Sequence, residues 1–387
     1  MFIIQSMLQT VGADDVAVIM LNVKQDDLLH VHKPNPDLTE YDQKEWEQLR
    51  LHPQPFEHVS YLLPLAKRTT EPTANCHGIP PQPHQLYAYG LHDVVGTADR
   101  PGPGIESLLR TPDSTGTMAS MASEVEYRLH TRDSAWRGVT DWNSLLDGEP
   151  LVKDGKSATI GEIQKSSVGK FRRVMRSAVL QSHSGIFVRH RPQEVCTPGE
   201  RVRAIKGGET LVIDIAQLRD HERALVFSDV ITEVHRMYTE ESGDMQGSHD
   251  GRPNNKLPSK VIIFVDELNK YAPSGRGEAS AVADYVLDIA ARGRSLGVVL
   301  VSAEQFMSEV HNQVVGSCAT KLVGRSDSAE LAKDTYRGIV ANDLRAQVTR
   351  LGKGYMLLSH PVFRQPVRVK FPQPAYELIG HSGGPSS

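Results

Sequence analysis

The chain has 387 residues, of which 39% are hydrophobic and 23% charged, and its formal net charge is −4. That length allows one large or two ordinary domains with a sizeable core. The composition excludes a disordered chain, and the charge excludes a basic nucleic-acid coat, so any nucleic-acid contact must come from local patches. Cys76, Cys196 and Cys318 are widely spaced and odd in number. They suit a reducing, cytoplasmic compartment and form no metal-ligand pattern. No apolar run reaches about 18 residues, and the first residues lack the basic start and cleavage site of a signal peptide. Neither a membrane span nor a leader is expected.

In chain order, the apolar spacing of residues 1–10 predicts a helix that begins abruptly, without a cap. Residues 16–21 read as a buried strand ending in Asn22-Val-Lys-Gln-Asp-Asp27, and a helix is predicted near 41–51. From about residue 53 to 112, Pro, His and Gly are frequent and apolar runs are short. Strands are possible there at 59–65 and 86–89, with loop signals at 99–104 and 111–116. This texture marks residues 32–157 as an irregular insertion on a core fold.

Regular alternation then returns. Residues 158–180 predict a helix, 209–215 a strand, and 220–239 a long helix with Leu225, Val226, Val230, Val234 and Met237 along its apolar positions. A polar loop at 244–258 precedes the run Val261-Ile-Ile-Phe-Val-Asp-Glu-Leu-Asn-Lys270. A helix at about 279–294, a strand at 296–302 and late strands at 319–323, 354–358 and 365–371 complete the series. Such alternation predicts an α/β fold with a mostly parallel sheet. The last residues, 376–387, read as a disordered tail.

The run at 261–270 carries the chemistry. Five apolar residues, mostly β-branched, predict a strand buried on both faces, and it ends in Asp266 and Glu267. Carboxylates at the C-terminal end of such a strand lie where open α/β sheets bind ligands. Asp266 could hold Mg²⁺ through its water shell, and Glu267 could orient or deprotonate an attacking water. This is a Walker B arrangement. The plainer reading of an acidic pair after a strand is a helix N-cap. Two further features count against it. Ala291-Arg-Gly-Arg-Ser-Leu-Gly297 enters the next strand, and that strand ends in Ser302-Ala-Glu-Gln305. A Gln there can sense a γ-phosphate, and an Arg before the strand can reach a neighbouring subunit's phosphate.

These residues resemble a known family. Phe264-Val-Asp-Glu-Leu-Asn269 with Arg292-Gly-Arg-Ser-Leu-Gly-Val-Val-Leu-Val-Ser-Ala-Glu-Gln305 is similar to the HerA/FtsK group of P-loop ATPases, nearer the HerA side. Gly352-Lys-Gly-Tyr-Met-Leu-Leu358 and Pro366-Val-Arg-Val369 resemble that group's last strands, and Asn22-Val-Lys24 resembles the strand end after its first helix. The resemblance covers residues 1–30 and 158–375. It implies a RecA-like core that binds ATP and Mg²⁺, with Asp266 serving the metal, Glu267 the water, Gln305 as sensor and Asn22 beside the nucleotide. Arg294, with Arg292 as the alternative, would act across a subunit interface. It also implies a homo-oligomeric ring, usually hexameric, that translocates DNA and often works with a nuclease.

The phosphate-binding loop of such an ATPase is not found. It needs Gly-x-x-x-x-Gly-Lys-Ser/Thr, so that backbone N–H groups wrap the phosphates. At Gly155-Lys-Ser157 the first glycine position is Pro150, which has no N–H. That segment reads as a surface turn. Residues 1–10 instead resemble the body of the helix that follows the loop, which implies that the strand and loop lie upstream of Met1 and that residues 1–31 and 158–375 are the ATPase core.

Three other groups of residues stand out. The crowded histidines, from His30 to His92, lack ligand spacing and read as solvated loop residues. Trp136 and Trp142 read as core rather than a stacking platform. Lys170, Arg172 and Arg173, on a basic helix, are either a solvated face or a phosphate-contacting patch. Two rival functions remain: a non-catalytic ring or scaffold subunit, and a secretion or packaging ATPase that does not act as a helicase.

Overall fold

Runs of buried β-branched residues set the frame. The computed structural model describes residues 1–67, 71–109, 116–131, 134–243, 257–275 and 282–378. Helix α1 (Phe2–Val11) leads into strand β1 (Val16–Asn22), all seven residues of which are buried. Helix α2 (Glu40–Gln48) opens on a reciprocal cap between Thr39 and Asp42. Strands β2 (Val59–Pro64) and β3 (His84–Tyr87) come next, then helices α3 (Leu91–Val95), α4 (Thr117–Thr131) and α5 (Trp142–Asp147). A hairpin of β4 (Val152–Lys153) and β5 (Lys156–Ser157) precedes α6 (Lys165–Met175). Its turn residues Asp154 and Gly155 have φ of 51° and 70°, the left-handed pair that two-residue hairpins favour. Gly155-Lys-Ser157 is therefore the corner of a hairpin.

Short β6 (Val195–Cys196) and α7 (Pro198–Arg203) lead to β7 (Thr210–Asp214) and the long α8 (Asp220–Gly243). Then come β8 (Lys260–Asp266), α9 (Ala283–Leu296) and β9 (Val298–Ala303). The C-terminal part holds α10 (Asn312–Ser317), β10 (Lys321–Val323), α11 (Ser328–Leu331), α12 (Asn342–Val348), β11 (Tyr355–Ser359) and β12 (Val367–Lys370).

Seven strands form one parallel sheet in the order β6-β3-β2-β7-β1-β8-β9. The fold is α/β, and helices cover the sheet as parallel pairing requires. Alternate residues of β1 face opposite cores. Ala17, Ile19 and Leu21 join the larger one, which also takes Leu225, Val230 and Val234 of α8 and Val286 and Ile289 of α9. Val16, Val18 and Met20 join a smaller one with Ile4 of α1, Leu29, Phe56 and Tyr376. Trp136 and Trp142 are both buried in the larger core.

Three features were not visible in the sequence. Within the segment 32–157, β2 and β3 are threaded between β7 and β6 in the main sheet. Strand pairing across such distances is invisible in local texture. The late strands lie outside the parallel sheet. They form a separate antiparallel sheet, β10-β11-β12, over their own core of Leu331, Tyr336, Ile339, Val348 and Leu357. The tail does not begin at residue 376: Tyr376 is 5% exposed and bridges to Pro34, and the Glu377 N–H donates to the Lys33 carbonyl. Residues 379–387 and most of the predicted polar loop at 244–258 lie outside the described residues.

The outer edge of β9 is unpaired among the described residues. Val261 to Val265 of β8 are buried, whereas Val299, Leu300 and Val301 of β9 are only half-buried. Helix α9 nevertheless lies close upon this strand. A Cβ at Gly293 would stand 2.4 Å from the Val298 carbonyl oxygen, a contact that backbone cannot relieve. Gly293→Ala should therefore destabilise the protein by about 1–3 kcal/mol, despite alanine's better helix propensity. Gly316→Ala on α10, where nothing lies within 4 Å, should stabilise by up to about 1 kcal/mol. Thermal melts of both variants check the pair, and a stabilised Gly293→Ala would contradict the packing.

Candidate functional site

The C-terminal ends of β1, β7, β8 and β9 converge on one end of the sheet. Strand β8 pairs in parallel with β1 on one side and β9 on the other, with Asp266 opposite Ala303. The Glu267 N–H donates to the Ala303 carbonyl at 2.9 Å. Glu267 itself turns out of the strand with φ 61° and ψ 50°. This left-handed conformation is uncommon outside glycine and asparagine and is a form of strain found at functional sites. A single turn of 3₁₀ helix, Leu268–Lys270, follows.

Glu304 braces this turn. Its Oε1 accepts from the Leu268 N–H at 2.7 Å and from the Ser302 hydroxyl at 2.5 Å. Burial pushes its carboxyl above the usual carboxylate range. Gln305 follows at the exposed end of β9, so the acidic pair and Gln305 sit at the ends of adjacent strands.

Three cations surround the acids. Lys24, on the loop after β1, places Nζ 2.8 Å from Asp266 Oδ2 and 3.7 Å from Glu267 Oε1. The hydrogen bond to Asp266 raises the Lys24 pKa. Lys270 forms an ion pair with Glu267, and this contact is the main reason the Glu267 carboxyl is held below its usual range, with Lys24 and Arg223 adding to it. Arg223, in the first turns of α8, is fixed by the carbonyls of Ile215 and Ala216 at 3.1 and 2.6 Å. Glu267 is thus kept as a carboxylate, the form a general base needs.

Asn22 is fully buried at the end of β1. Its amide donates to the Gln25 carbonyl at 2.7 Å and to Asp214 Oδ1 at 2.8 Å, and its oxygen accepts from the Leu28 N–H at 3.2 Å. It does not open onto the site. It shapes the loop that carries Lys24. Asp214 is also fully buried, and its Oδ2 has no hydrogen-bond partner among the described residues. Burial pushes its pKa up to about 6.

The structure does not bring the arginines to the acids. Arg292 and Arg294 precede β9, while the acids follow β8, and the two strands are parallel. They lie at opposite ends of a strand about 20 Å long. Arg292 is tied to Asp288 of its own helix through two contacts of 2.6 Å, and Arg294 is exposed. On α6, Arg172 is held by the Leu146 carbonyl at 2.7 Å and by Asp147 at 3.5 Å. Lys170 and Arg173 are exposed.

Among the described residues no group of three or more His, Cys, Asp or Glu side chains could cage a metal. The acidic pair fits a different arrangement, in which one partly exposed carboxylate, Asp266, holds a hydrated Mg²⁺ and phosphate oxygens supply the remaining ligands. The Lys24 ammonium now supplies positive charge at that carboxylate. No described helix is long and apolar enough to cross a membrane.

No protein-family model matches the sequence, and no curated protein matches it. Among solved structures the chain is similar to the bacterial conjugative coupling protein TrwBdeltaN70 in its unbound monoclinic form, at 12% identity and a TM-score of 0.49, over 95% of this chain and 88% of that one. It is similar to the plasmid coupling protein TrwB in complex with ADP and Mg²⁺ at 12% identity and a TM-score of 0.45, over 95% and 90%. The genome packaging NTPase B204 from Sulfolobus turreted icosahedral virus 2, in complex with ATP-gammaS, matches at 11% identity and a TM-score of 0.29, over 44% and 70%. These are likenesses of shape, and no residue role is taken from them.

Asp214 gives the site a pH signature. Its pKa of about 6 stands above its ordinary value of 3.8, so the folded state binds more protons between these limits. Its cost to stability is full above pH 6 or so and is relieved as pH falls toward 4. Wild type should therefore gain up to about 3 kcal/mol relative to Asp214→Asn between neutral pH and about pH 4. Urea unfolding of both proteins at the two pH values tests this. A constant difference would contradict the assignment.

Proposed function

We propose that this chain carries the water-activating and sensing side of an ATP-hydrolysing motor of the HerA/FtsK kind, with a RecA-like core. One observation carries the reading. Asp266 and Glu267 end one buried parallel strand, Gln305 ends the next, and that second strand has an outer edge unpaired among the described residues. The missing phosphate grip belongs on that edge, because a strand laid along β9 would deliver a Gly-rich loop beside the acids. The 387 residues contain no such loop, so in this proposal it comes from outside them.

Bound Mg²⁺ and ATP would supply the phosphoanhydride and the cation that screens it. Asp266 would hold the metal through its water shell, and Glu267, kept ionised by Lys270, would orient and deprotonate the water. Lys24 would have to leave Asp266 as the metal arrives. Gln305 would contact the γ-phosphate or the water. Arg294, exposed at the far end of β9, would serve a neighbouring subunit in a homo-oligomeric ring, and Arg292 would do so only after release from Asp288. Duplex DNA as track, a ring of six subunits and a partner nuclease follow from the family resemblance. Lys170 and Arg173 are the members of the basic patch exposed for phosphate contact.

The Lys24 bridge also favours a second reading, a non-catalytic subunit whose acids are permanently neutralised. One set of assays separates the two. The 387-residue chain should bind ATP weakly and show no turnover above background. Joined to the sequence encoded immediately upstream of Met1, it should hydrolyse ATP, respond to duplex DNA, and lose about 10²- to 10⁴-fold in rate with Glu267→Gln. Turnover by the 387 residues alone that vanishes in Glu267→Gln would overturn the half-site. An inert extended protein with an intact Gly-rich loop would favour the scaffold.

A further inference from the structure

Helix α8 runs from the acid end of the sheet back toward the start of β8. In its middle, some 20 Å from its first residue, it carries Glu233, which is 3% exposed. Three guanidinium groups converge on this one carboxylate. Arg203 of α7 donates through Nε at 2.9 Å, Arg236 of α8 donates at 3.0 Å, and Arg100, from the loop after α3, closes the third side. The three arginines, with His92 and His130, line a cavity of about 440 Å³.

At Glu233 itself one carboxylate faces three guanidinium groups, and the wider lining adds the carboxylates of Asp93, Glu200 and Asp229. Asp229, a turn earlier, accepts from the Gly199 N–H at 2.8 Å and the Tyr89 hydroxyl at 3.0 Å. Burial pushes it to about 7, so it brings less than a full negative charge at neutral pH. Asp93 and Glu200, the other lining acids, are both engaged by Arg191 at 3.2 and 2.8 Å. Arg100 is pushed below its ordinary pKa by burial, and its neighbours Arg203 and Arg236 add to this against the pull of Glu233. Its Nε is shielded from solvent and has no hydrogen-bond partner among the described residues.

A network that merely lashed the loop to α8 would not need three guanidinium groups for one carboxylate. It would also not leave the Arg100 Nε donor without a protein partner among the described residues. Guanidinium forks match phosphate oxygens in geometry and charge, and the cavity has the size of a small-molecule site. We propose that this cavity binds the terminal phosphate of a small phosphorylated molecule, held by Arg100, Arg203 and Arg236. The proposal does not depend on ATP hydrolysis at Asp266 and Glu267, which lie near the start of α8.

Isothermal titration of the 387-residue chain with inorganic phosphate, pyrophosphate, AMP and adenosine tests it. The phosphate-bearing probes should bind saturably, and adenosine should not. AMP binding more tightly than inorganic phosphate would assign the site to a phosphoester, and tighter pyrophosphate binding to a phosphoanhydride, rather than to free phosphate. Arg100→Gln and Arg203→Gln should each weaken binding by about tenfold or more, while Glu267→Gln leaves it unchanged. Phosphate should also protect Arg100, Arg203 and Arg236 of the unmodified protein from phenylglyoxal, as mapped by mass spectrometry, which needs no variant to fold. No saturable phosphate binding, or binding with no protection of these arginines, would overturn the proposal.

Discussion

Strand β8 is hydrogen-bonded on both sides, to β1 and to β9, and everything at the candidate site depends on that pairing. A two-sided parallel strand must be apolar through its length, and Val261 to Val265 are. Its polar residues can then appear only at its ends. Pairing also fixes which side chains can meet there. The loop leaving β1 brings Lys24 to Asp266, and the loop leaving β9 brings Glu304 under Leu268. Asp266 and Glu267 acquire their environment from strands that neighbour β8 in space and lie far from it in the chain.

The same logic explains the tension at β9. A parallel strand with one free edge leaves backbone N–H and C=O groups without partners, and here that edge lies beside half-buried valine and leucine. Strand β10 likewise has one paired side only, within a separate three-stranded sheet. The acids meanwhile are compensated by Lys24, Lys270 and Arg223. An isolated carboxylate pair would be costly at the rim of a core, so this neutralisation lets the half-site be stable by itself.

Much of this was legible in the sequence, for identifiable reasons. The α/β class, the acid-bearing strand and the β9 strand followed from uninterrupted apolar runs, which need no partner to be recognised. Helix α4 was missed although Met118, Met121, Ala122, Val125 and Leu129 keep helical spacing, because the surrounding Pro and Gly dominated that region. β2 and β3 were seen as strands but not as members of the main sheet, since pairing is non-local. Glu304 was in plain view and served only as spacing before Gln305. Its role depends on the turn at Leu268, which no local pattern reveals. Arg223 and Lys270 gave no signal. Asn22 is the converse case: its position at a strand end suggests a ligand contact, and in the fold its amide donates inward to Asp214.

In the proposed reading, β9 takes an outer neighbour from a strand outside these 387 residues. Amide hydrogen exchange over Val298–Ala303 tests this most directly. The amides of β9 that point away from β8 should exchange rapidly in this chain. They should become protected when the polypeptide includes the sequence encoded upstream of Met1. Slow exchange at those amides in the 387-residue chain, or no gain in protection on extension, would contradict the account.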